Sequence, residues 1–156
     1  MAKPKDRKRA PAREPGLVVP PTKSVPKKQL DVLPERPISQ LLIIRFDSVD
    51  FGGPWSITAA NREHLAQIFK AVASFESMTV GEAFNGEYPG VDYVIDEMPK
   101  PAKDRLAELD LDDQDKISRL RLGNKPRLYG FRRGRFFHVL WWDPEHLVVP
   151  SKLKHT

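Results

Sequence analysis

The sequence predicts an α+β fold in which helices pack on one side of a small antiparallel sheet. Three observations support this prediction: a short apolar segment near residue 41, an apolar stripe with helical spacing after it, and two aromatic-rich segments around a glycine near the C-terminus. The predicted order is strand, helix, helical segments, strand, strand. With 156 residues the chain suffices for one domain, which we assign to residues 38–156.

Residues 1–37 differ in composition from the rest of the chain. They contain eight of the fifteen prolines and ten Lys or Arg residues, but no aromatic residue. Because so few apolar side chains cannot offset the entropy lost on ordering, the sequence predicts a disordered, basic, proline-rich leader. This leader is either a nonspecific arm for phosphate groups or a solvated tail.

The domain is predicted to begin with a strand and a long helix. Residues 41–46, which are apolar except for Arg45, predict a strand buried on both faces. A helix follows, with Asn61 as its N-cap. Its apolar residues recur at steps of three and four: Leu65, Ile68, Phe69, Val72 and Phe75. Thr79 and Glu82 have the spacing of a capping box, which predicts a short second helix.

The middle of the chain predicts one strand and two helical segments. Residues 91–98 alternate weakly between apolar and polar types, which indicates a short edge strand. Pro101 is suited to the first turn of a helix. A second helical segment is predicted over residues 112–123, with Ile117 and Leu120 on one side, because its first turn is acidic and its last turn is basic.

The C-terminal region predicts a hairpin of two antiparallel strands, residues 127–132 and 135–142, joined at a glycine turn. The second strand is apolar on both faces, so we expect it to lie inside the sheet. Simple alternation along this strand puts Trp141 and Trp142 on opposite faces. We interpret His138, which lies between apolar neighbours, as a histidine of the core.

Charge is distributed unevenly along the predicted domain. Residues 38–118 contain seven Lys or Arg against fifteen Asp or Glu, whereas residues 119–156 contain nine Lys or Arg against two acidic residues. A positive field confined to one part of a protein, with aromatic residues and histidines interleaved, favours binding to a polyanion. RNA and DNA are the commonest such partners.

Several function classes are excluded or disfavoured. The chain has no cysteine, which excludes disulfides, thiolate zinc sites and a cysteine nucleophile. It also lacks a glycine-rich phosphate loop and a serine in a nucleophile elbow. The longest apolar runs are too short to span a bilayer, and no secretory signal is recognisable. The sequence therefore predicts a cytoplasmic protein with no membrane partner, no metal site and no cofactor.

Residues 120–140 read Leu-Arg-Leu-Gly-Asn-Lys-Pro-Arg-Leu-Tyr-Gly-Phe-Arg-Arg-Gly-Arg-Phe-Phe-His-Val-Leu: a basic segment, a strand, a charged turn and an apolar strand. This succession of basic and apolar segments, together with the predicted β-α-α-β-β order, resembles that of the RelE/ParE/YoeB-like toxin superfamily. The resemblance implies a small sheet that presents Arg, Lys, His, Tyr and Glu residues to messenger RNA, usually on the ribosome. It also implies an antitoxin protein as a partner. Other members of the superfamily act on gyrase and are not nucleases.

Metal-independent RNA cleavage needs a group that takes the 2′-hydroxyl proton, a group that protonates the leaving oxygen, and cations that hold the phosphate. The resemblance assigns catalysis to His155, His146, Arg127 and Tyr129. It assigns nucleic-acid binding to Arg119, Arg121, Lys125, Arg132, Arg133, Arg135, Lys152 and Lys154. The chain departs from the superfamily in its length, in its proline-rich leader and in its Trp-Trp-Asp-Pro-Glu-His segment at residues 141–146.

Other interpretations of the same residues stay open. The arginines at the hairpin turn are also explained as solvated residues that keep an edge soluble, Tyr129 as a core residue, and His155 as part of a frayed terminus. The chain is then a nucleic-acid-binding module without enzymatic activity, or a protein-interaction domain that uses its acidic helical segments. Catalytic activity, ribosome dependence and oligomeric state are not fixed by the residues.

Overall fold

The computed structural model describes residues 40–85 and 90–150. All of them belong to one compact unit of the chain. The leader predicted at residues 1–37 lies outside the described residues, as do Lys152, Lys154 and His155.

The described residues form a five-stranded mixed sheet and three α-helices, which confirms the α+β class. The strands are β1 (Ile43–Arg45), β2 (Gly90–Val94), β3 (Lys116–Arg121), β4 (Arg127–Arg133) and β5 (Phe136–Asp143). The helices are α1 (Arg62–Glu76), α2 (Val80–Phe84) and α3 (Lys100–Glu108). The strand order in the sheet is β1-β5-β4-β3-β2. The predicted C-terminal hairpin is confirmed as β4 and β5, and β5 lies inside the sheet as predicted.

The sheet is not antiparallel throughout, which corrects the prediction. β1 runs parallel to β5, with Ile43 opposite Phe136, while the other three strand pairs are antiparallel. A parallel pair needs a long crossover, and the chain between β1 and β5 supplies it. β1 lies at the edge of the sheet and Arg45 is exposed, so the prediction of a strand buried on both faces is wrong.

The capping residues at the helix starts are confirmed. The Asn61 side chain accepts a hydrogen bond from the backbone amide of His64 at 2.8 Å. Thr79 and Glu82 form the predicted capping box, each side chain accepting a bond from the other residue's amide. Pro101 lies in the first turn of α3. Within residues 40–85 and 90–150, no helix has the length and apolar character needed to cross a membrane.

Helices cover both faces of the sheet, which corrects the prediction of helices on one side. On one face, α1 and α2 share a buried cluster with the strands: Leu42, Ile44, Ile68, Phe75, Ala83, Leu120, Leu128, Phe137, Val139 and Trp142. On the other face, which we call the α3 face, the buried cluster includes α3 and the chain around it: Trp55, Ile95, Met98, Ala102, Leu106, Ile117, Tyr129, Phe131, Leu140, Trp141 and Val148. The inner strands are apolar on both sides because both faces are covered.

The segment over residues 112–123 contains the strand β3 instead of the predicted helix. Ile117 and Leu120 are both fully buried, but they belong to the clusters on opposite faces of the sheet. Residues three apart lie on one side of a helix and on opposite faces of a strand. β3 pairs with β2 on one edge and with β4 on the other. This pairing outweighs the helix-like order of charges, which is worth only about 1 kcal/mol or less.

An irregularity in β5 changes which side chains share a face. Tyr129 pairs with Trp141, whereas the pairing after it skips Leu140. Leu140 and Trp141 therefore both pack on the α3 face, while Trp142 packs on the opposite face. The tryptophans lie on opposite faces as predicted, but simple alternation fails at Leu140. Gly130 lies opposite this bulge, where a Cβ would collide with a backbone carbonyl of β5.

A buried ion pair fastens the loop after β1 to α3. Asp50 is only 3% exposed, and it accepts hydrogen bonds of 2.8 and 2.6 Å from Arg105. The same carboxylate accepts bonds from the Trp141 indole and the Gly52 amide, each at 3.0 Å. Burial opposes ionisation of Asp50, but these bonds outweigh it and lower its pKa. Arg105 also donates to Glu108 at 2.6 Å, so carboxylates on two sides match its charge.

The outer edge of β1 is occupied by the end of α1 and the residues after it. The backbone amide of Ile44, which faces away from β5, donates to the Glu76 carboxylate at 3.0 Å. The amide of Leu42 donates to the Met78 carbonyl at 2.8 Å. These edge groups are therefore already bonded within the chain.

Candidate anion-binding site

The strand register brings three of the predicted arginines together on the α3 face. Arg121 of β3 lies opposite Arg127 of β4. In the next row on the same face, Arg119 lies opposite Tyr129. Directly opposed residues share a face, and successive rows on one face are about 7 Å apart along the strands. We call Arg119, Arg121 and Arg127 the arginine cluster.

Arg127 fastens the turn between β3 and β4. Its guanidinium donates hydrogen bonds of 2.9 Å to the carbonyls of Gly123, Asn124 and Pro126. The side chain is only 5% exposed. Arg127 is therefore the buried member of the cluster. Its terminal nitrogens are bonded to the turn and are not available to solvent.

Arg119 and Arg121 are the more accessible members of the cluster. Arg119 is half-buried, and its guanidinium donates to the Tyr93 hydroxyl and lies 5.4 Å from the centroid of the Tyr93 ring. Arg121 is exposed and donates from Nε to the Gly123 carbonyl at 2.9 Å. Its two terminal nitrogens point to no hydrogen-bond partner among the described residues. A ligand approaching from solvent would meet Arg121 first and Arg119 next.

The positive charge of the cluster is not balanced by carboxylates. In residues 40–85 and 90–150, no Asp or Glu forms a salt bridge with any of the three arginines. Asp143 lies opposite Arg127, but its oxygens accept bonds of 2.9 Å from the amides of Leu147 and Val148. Burial lowers the pKa of Arg127, and the charges of Arg119 and Arg121 lower it further. Mutual repulsion within the cluster therefore favours binding of an anion.

Three buried polar atoms in this region have no hydrogen-bond partner within the described part of the chain: Arg119 Nε, Arg127 Nε and the Tyr129 hydroxyl. Buried donors without partners are rare in folded proteins, because each costs about 1–3 kcal/mol. Burial also raises the pKa of Tyr129, so its hydroxyl keeps its proton and stays a donor. All three atoms are buried, so none of them contacts a ligand from solvent unless the side chains around it move.

His146 lies in the turn that follows β5, beside the cluster. Its backbone is left-handed, with φ of 59°, a conformation that His tolerates better than most side chains. The side chain is half-buried. Burial lowers its pKa, and the positive charges of Arg127 and Arg119 lower it further. The imidazole is therefore neutral at pH 7, and its Nε2 atom is buried.

Other residues predicted for nucleic-acid binding lie elsewhere. Lys125 forms an ion pair of 3.3 Å with Glu145 at the rim of the cluster. Arg132 faces the opposite side of the sheet, where it forms an ion pair of 2.7 Å with Asp92. Arg133 lies six residues from Arg127 along β4, a distance of about 20 Å. Arg135 follows the hairpin turn at the same end of the sheet.

Sequence reasoning missed two features of the region. Tyr93 orients Arg119 from β2, although nothing in its own segment marks it as functional. The role of Asp143 as the acceptor that shapes the His146 turn was also missed, although an Asp followed by Pro is a signal for a turn.

The arrangement places two accessible guanidinium groups, those of Arg119 and Arg121, on one face of the sheet, with the neutral imidazole of His146 beside them. In residues 40–85 and 90–150, no group of three or more His, Asp or Glu side chains is arranged to hold a metal ion. Comparisons with protein-family models, curated proteins and solved structures find no match to this chain.

Proposed function

We propose that this protein binds RNA through phosphates of the RNA backbone, which contact the arginine cluster. One observation carries the proposal: three arginines share one face without a carboxylate partner among the described residues. Guanidinium groups bind phosphate oxygens with paired, charge-assisted hydrogen bonds. Release of the counterions condensed on the RNA adds to the affinity.

In this proposal the residues of the site have different roles. Arg121 and Arg119 contact phosphate, since they are the accessible members of the cluster. Arg127 and Tyr129 are positioning residues, because both are buried beneath them. Lys125 adds to the positive field at the rim despite its ion pair with Glu145.

We further propose that the bound RNA is cleaved without a metal, as in the toxin superfamily that the sequence resembles. His146 takes the proton of a 2′-hydroxyl, the 2′-oxygen attacks the adjacent phosphorus, and the bond to the 5′-oxygen breaks. The products are a 2′,3′-cyclic phosphate and a 5′-hydroxyl end. The neutral His146 beside the cluster supports this role. His155, outside the described residues, is proposed as the acid that protonates the leaving oxygen. A ribosome-bound messenger RNA and an antitoxin partner belong to this proposal.

RNA binding without cleavage is the second candidate. It is favoured by the burial of Tyr129 and by the three carbonyls that occupy the Arg127 guanidinium. Two of the four groups assigned to catalysis then support the fold and do not meet the substrate. This candidate uses the same surface, and a single set of variants separates the two.

Binding is tested with a fluorescently labelled single-stranded RNA, by anisotropy at several salt concentrations. Replacing both accessible arginines, Arg119→Ala with Arg121→Ala, is expected to weaken binding by about tenfold or more and to reduce the slope of log affinity against log salt by about 0.7 per lost phosphate contact. Arg62→Ala, an exposed arginine on α1, is the matched control and keeps wild-type affinity. Equal affinity for the double variant and the control would refute the site.

Cleavage is tested with the same RNA and by induced expression of the full chain. His146→Asn removes the proton acceptor and keeps a residue type that tolerates a left-handed backbone. This variant is expected to lose about 100-fold or more of the cleavage rate, while RNA affinity stays within about twofold of wild type. Growth arrest with messenger RNA cleavage in the wild type supports the toxin proposal. Salt-sensitive binding with no cleavage by the wild type supports the second candidate.

A further inference from the structure

An apolar groove lies between α1 and the segment that follows β1. Its volume is about 390 Å³, and it is lined by Phe46, Ile57, Thr58, Leu65, Ile68 and Phe69. None of these side chains carries a charge, and the Thr58 hydroxyl already shares a hydrogen bond of 2.7 Å with Ser56. An apolar cavity of about 150 Å³ is enough to hold a benzene ring. The groove therefore suits an apolar group as large as an aromatic side chain.

Two phenylalanines at the rim of the groove are open to solvent. Phe69 of α1 is 61% exposed and Phe46 is 40% exposed. Leu65, one turn before Phe69, is exposed as well. Large apolar side chains that are exposed side by side around a concave surface mark a site of interaction with another molecule.

The exposed side of α1 that borders the groove has a symmetric sequence. Its members are Arg62, Leu65, Phe69, Ala73 and Glu76, and we call them the α1 stripe. At about 100° per residue they lie within an arc of about 80° on the helix. Arg62 and Glu76 are seven residues before and after Phe69, while Leu65 and Ala73 are four residues before and after it. All of them are exposed except Glu76, which is half-buried.

Two α1 stripes are complementary when two helices pack antiparallel around a twofold axis at Phe69. Arg62 of each copy then lies opposite Glu76 of the second copy, which forms the same ion pair twice. Leu65 lies opposite Ala73 of the second copy, so a large side chain meets a small one. The two Phe69 rings meet beside the grooves. A parallel arrangement would instead place each arginine opposite an arginine.

The charges at the ends of the stripe are not paired with each other within one chain. Arg62 and Glu76 are 14 residues apart, which is about 21 Å along a helix. In residues 40–85 and 90–150, no Asp or Glu forms an ion pair with Arg62. One oxygen of Glu76 accepts the Ile44 amide, and a carboxylate can accept further bonds through both of its oxygens.

We propose that the protein forms a twofold-symmetric homodimer, in which the α1 stripes of two copies pack antiparallel and Phe69 of each copy enters the groove of the other. A twofold interface uses the same surface on both copies, which requires the self-complementary order that the stripe has. α1 covers the sheet face opposite the α3 face, so the dimer leaves the arginine cluster accessible. The inference does not depend on RNA binding.

The association of the full chain is measured by sedimentation equilibrium over a series of protein concentrations. Because the interface is small, the dimer should dissociate reversibly on dilution. Phe69→Ala is expected to weaken the dimer by about tenfold or more, since central aromatic side chains carry much of the affinity of an interface. Phe51→Ala is the matched control, because Phe51 is 77% exposed but does not line the groove. Circular dichroism checks that both variants are folded.

The antiparallel arrangement is tested by reversing one charge. Arg62→Glu places like charges opposite each other at both ends of the interface and is expected to weaken the dimer by about fivefold. Adding Glu76→Gln removes the repulsion and keeps a side-chain oxygen that can accept the Ile44 amide. The double variant should therefore form a tighter dimer than Arg62→Glu alone. Lys70→Glu, a charge reversal at an exposed α1 residue outside the stripe, is the control and should dimerise as the wild type does.

Three results would overturn the proposal. A wild-type chain that stays monomeric up to about 1 mM would leave the groove to a different protein, because a dissociation constant of that size is already at the weak end of protein association. A dimer that Phe69→Ala and Phe51→Ala weaken equally does not use the groove. A dimer that Arg62→Glu and Lys70→Glu weaken equally, or that the double variant does not recover, does not have the antiparallel arrangement.

Discussion

Arg105 and the arginine cluster show two opposite ways of placing guanidinium groups within one small protein. Arg105 makes two bonds to the buried carboxylate of Asp50 and one to Glu108. Arg127 is more buried than Arg105, yet its side-chain bonds go to neutral carbonyls, and the charges of Arg119 and Arg121 lower its pKa. The first arrangement neutralises charge inside the fold, while the second concentrates it.

The two arrangements have different energetic consequences for the fold. The ion pair of Asp50 and Arg105 connects the loop after β1 to the helix α3. Its charges are balanced within the chain, so it needs no external ligand. A group of like charges without a bonded carboxylate opposes folding, and binding of an anion relieves that opposition.

Asp50→Asn is expected to reduce the free energy of unfolding by about 3 kcal/mol, because it removes one partner of a buried pair and leaves Arg105 partly unmatched. Urea unfolding of the full chain measures the change. Asp104→Asn is the matched control, since Asp104 forms an exposed ion pair with Lys100 that contributes little. A change for Asp50→Asn as small as that for the control would mean that the Asp50–Arg105 pair contributes little to the stability of the fold.

Arg127→Ala is expected to reduce the free energy of unfolding by about 1 kcal/mol, less than Asp50→Asn does. The variant loses three bonds to the β3–β4 turn, but it also relieves repulsion from Arg119 and Arg121. Salt screens the repulsion among the three arginines, so at high salt the variant gains less from the removal of the Arg127 charge. The measured loss in the free energy of unfolding should therefore grow with salt concentration. A loss larger than that of Asp50→Asn at every salt concentration would contradict an uncompensated cluster.

His146 provides a test by pH. Its pKa in the folded chain is below the unfolded value of 6.5, so on acidification the unfolded chain takes up a proton first. Wild-type stability should therefore fall as the pH drops below 6.5, and His146→Asn should lose less stability over the same range. Saturating RNA should raise the pKa of His146, measured by NMR, because phosphates neutralise the arginines. An unchanged pKa of His146 with RNA bound would show that the RNA does not bind close enough to His146 to change its electrostatic environment.

Arg121→Ala should have the smallest effect on folding: no measurable loss of stability, because the side chain is exposed and its charged neighbours repel it. Its effect should appear in binding, where the slope of log affinity against log salt falls by about 0.7 for single-stranded RNA. A clear loss of stability, or an unchanged slope, would assign Arg121 to the fold and not to the ligand.

Local patterns in the sequence predicted the features of the fold that depend on near neighbours. The stripe from Leu65 to Phe75, the capping box at Thr79 and the hairpin around Gly134 all follow from spacing or turn chemistry within a few residues. The same patterns misled at β3, where Ile117 and Leu120 have helical spacing but are buried on opposite faces. Pairing with two neighbouring strands makes that segment a strand, and no local sequence pattern contains this information.

The same limit applies to the candidate site. The sequence named Arg119, Arg121, Arg127, Tyr129 and His146, which the register then brings together on one face or beside it. It could not show that Arg132 faces the other way toward Asp92, or that His138 meets Asp47 across 91 residues of chain. Composition predicts that positive charge is present, whereas strand register decides which charges meet.

The bond from the Ile44 amide to Glu76 has a consequence for how this protein behaves at high concentration. A row of open amides at a sheet margin is a template on which strands from other molecules can stack into fibrils. At the β1 margin that template is already filled by a side chain from α1, so fibril growth there must first break a native bond. Removing the Glu76 carboxylate would open this margin to intermolecular assembly.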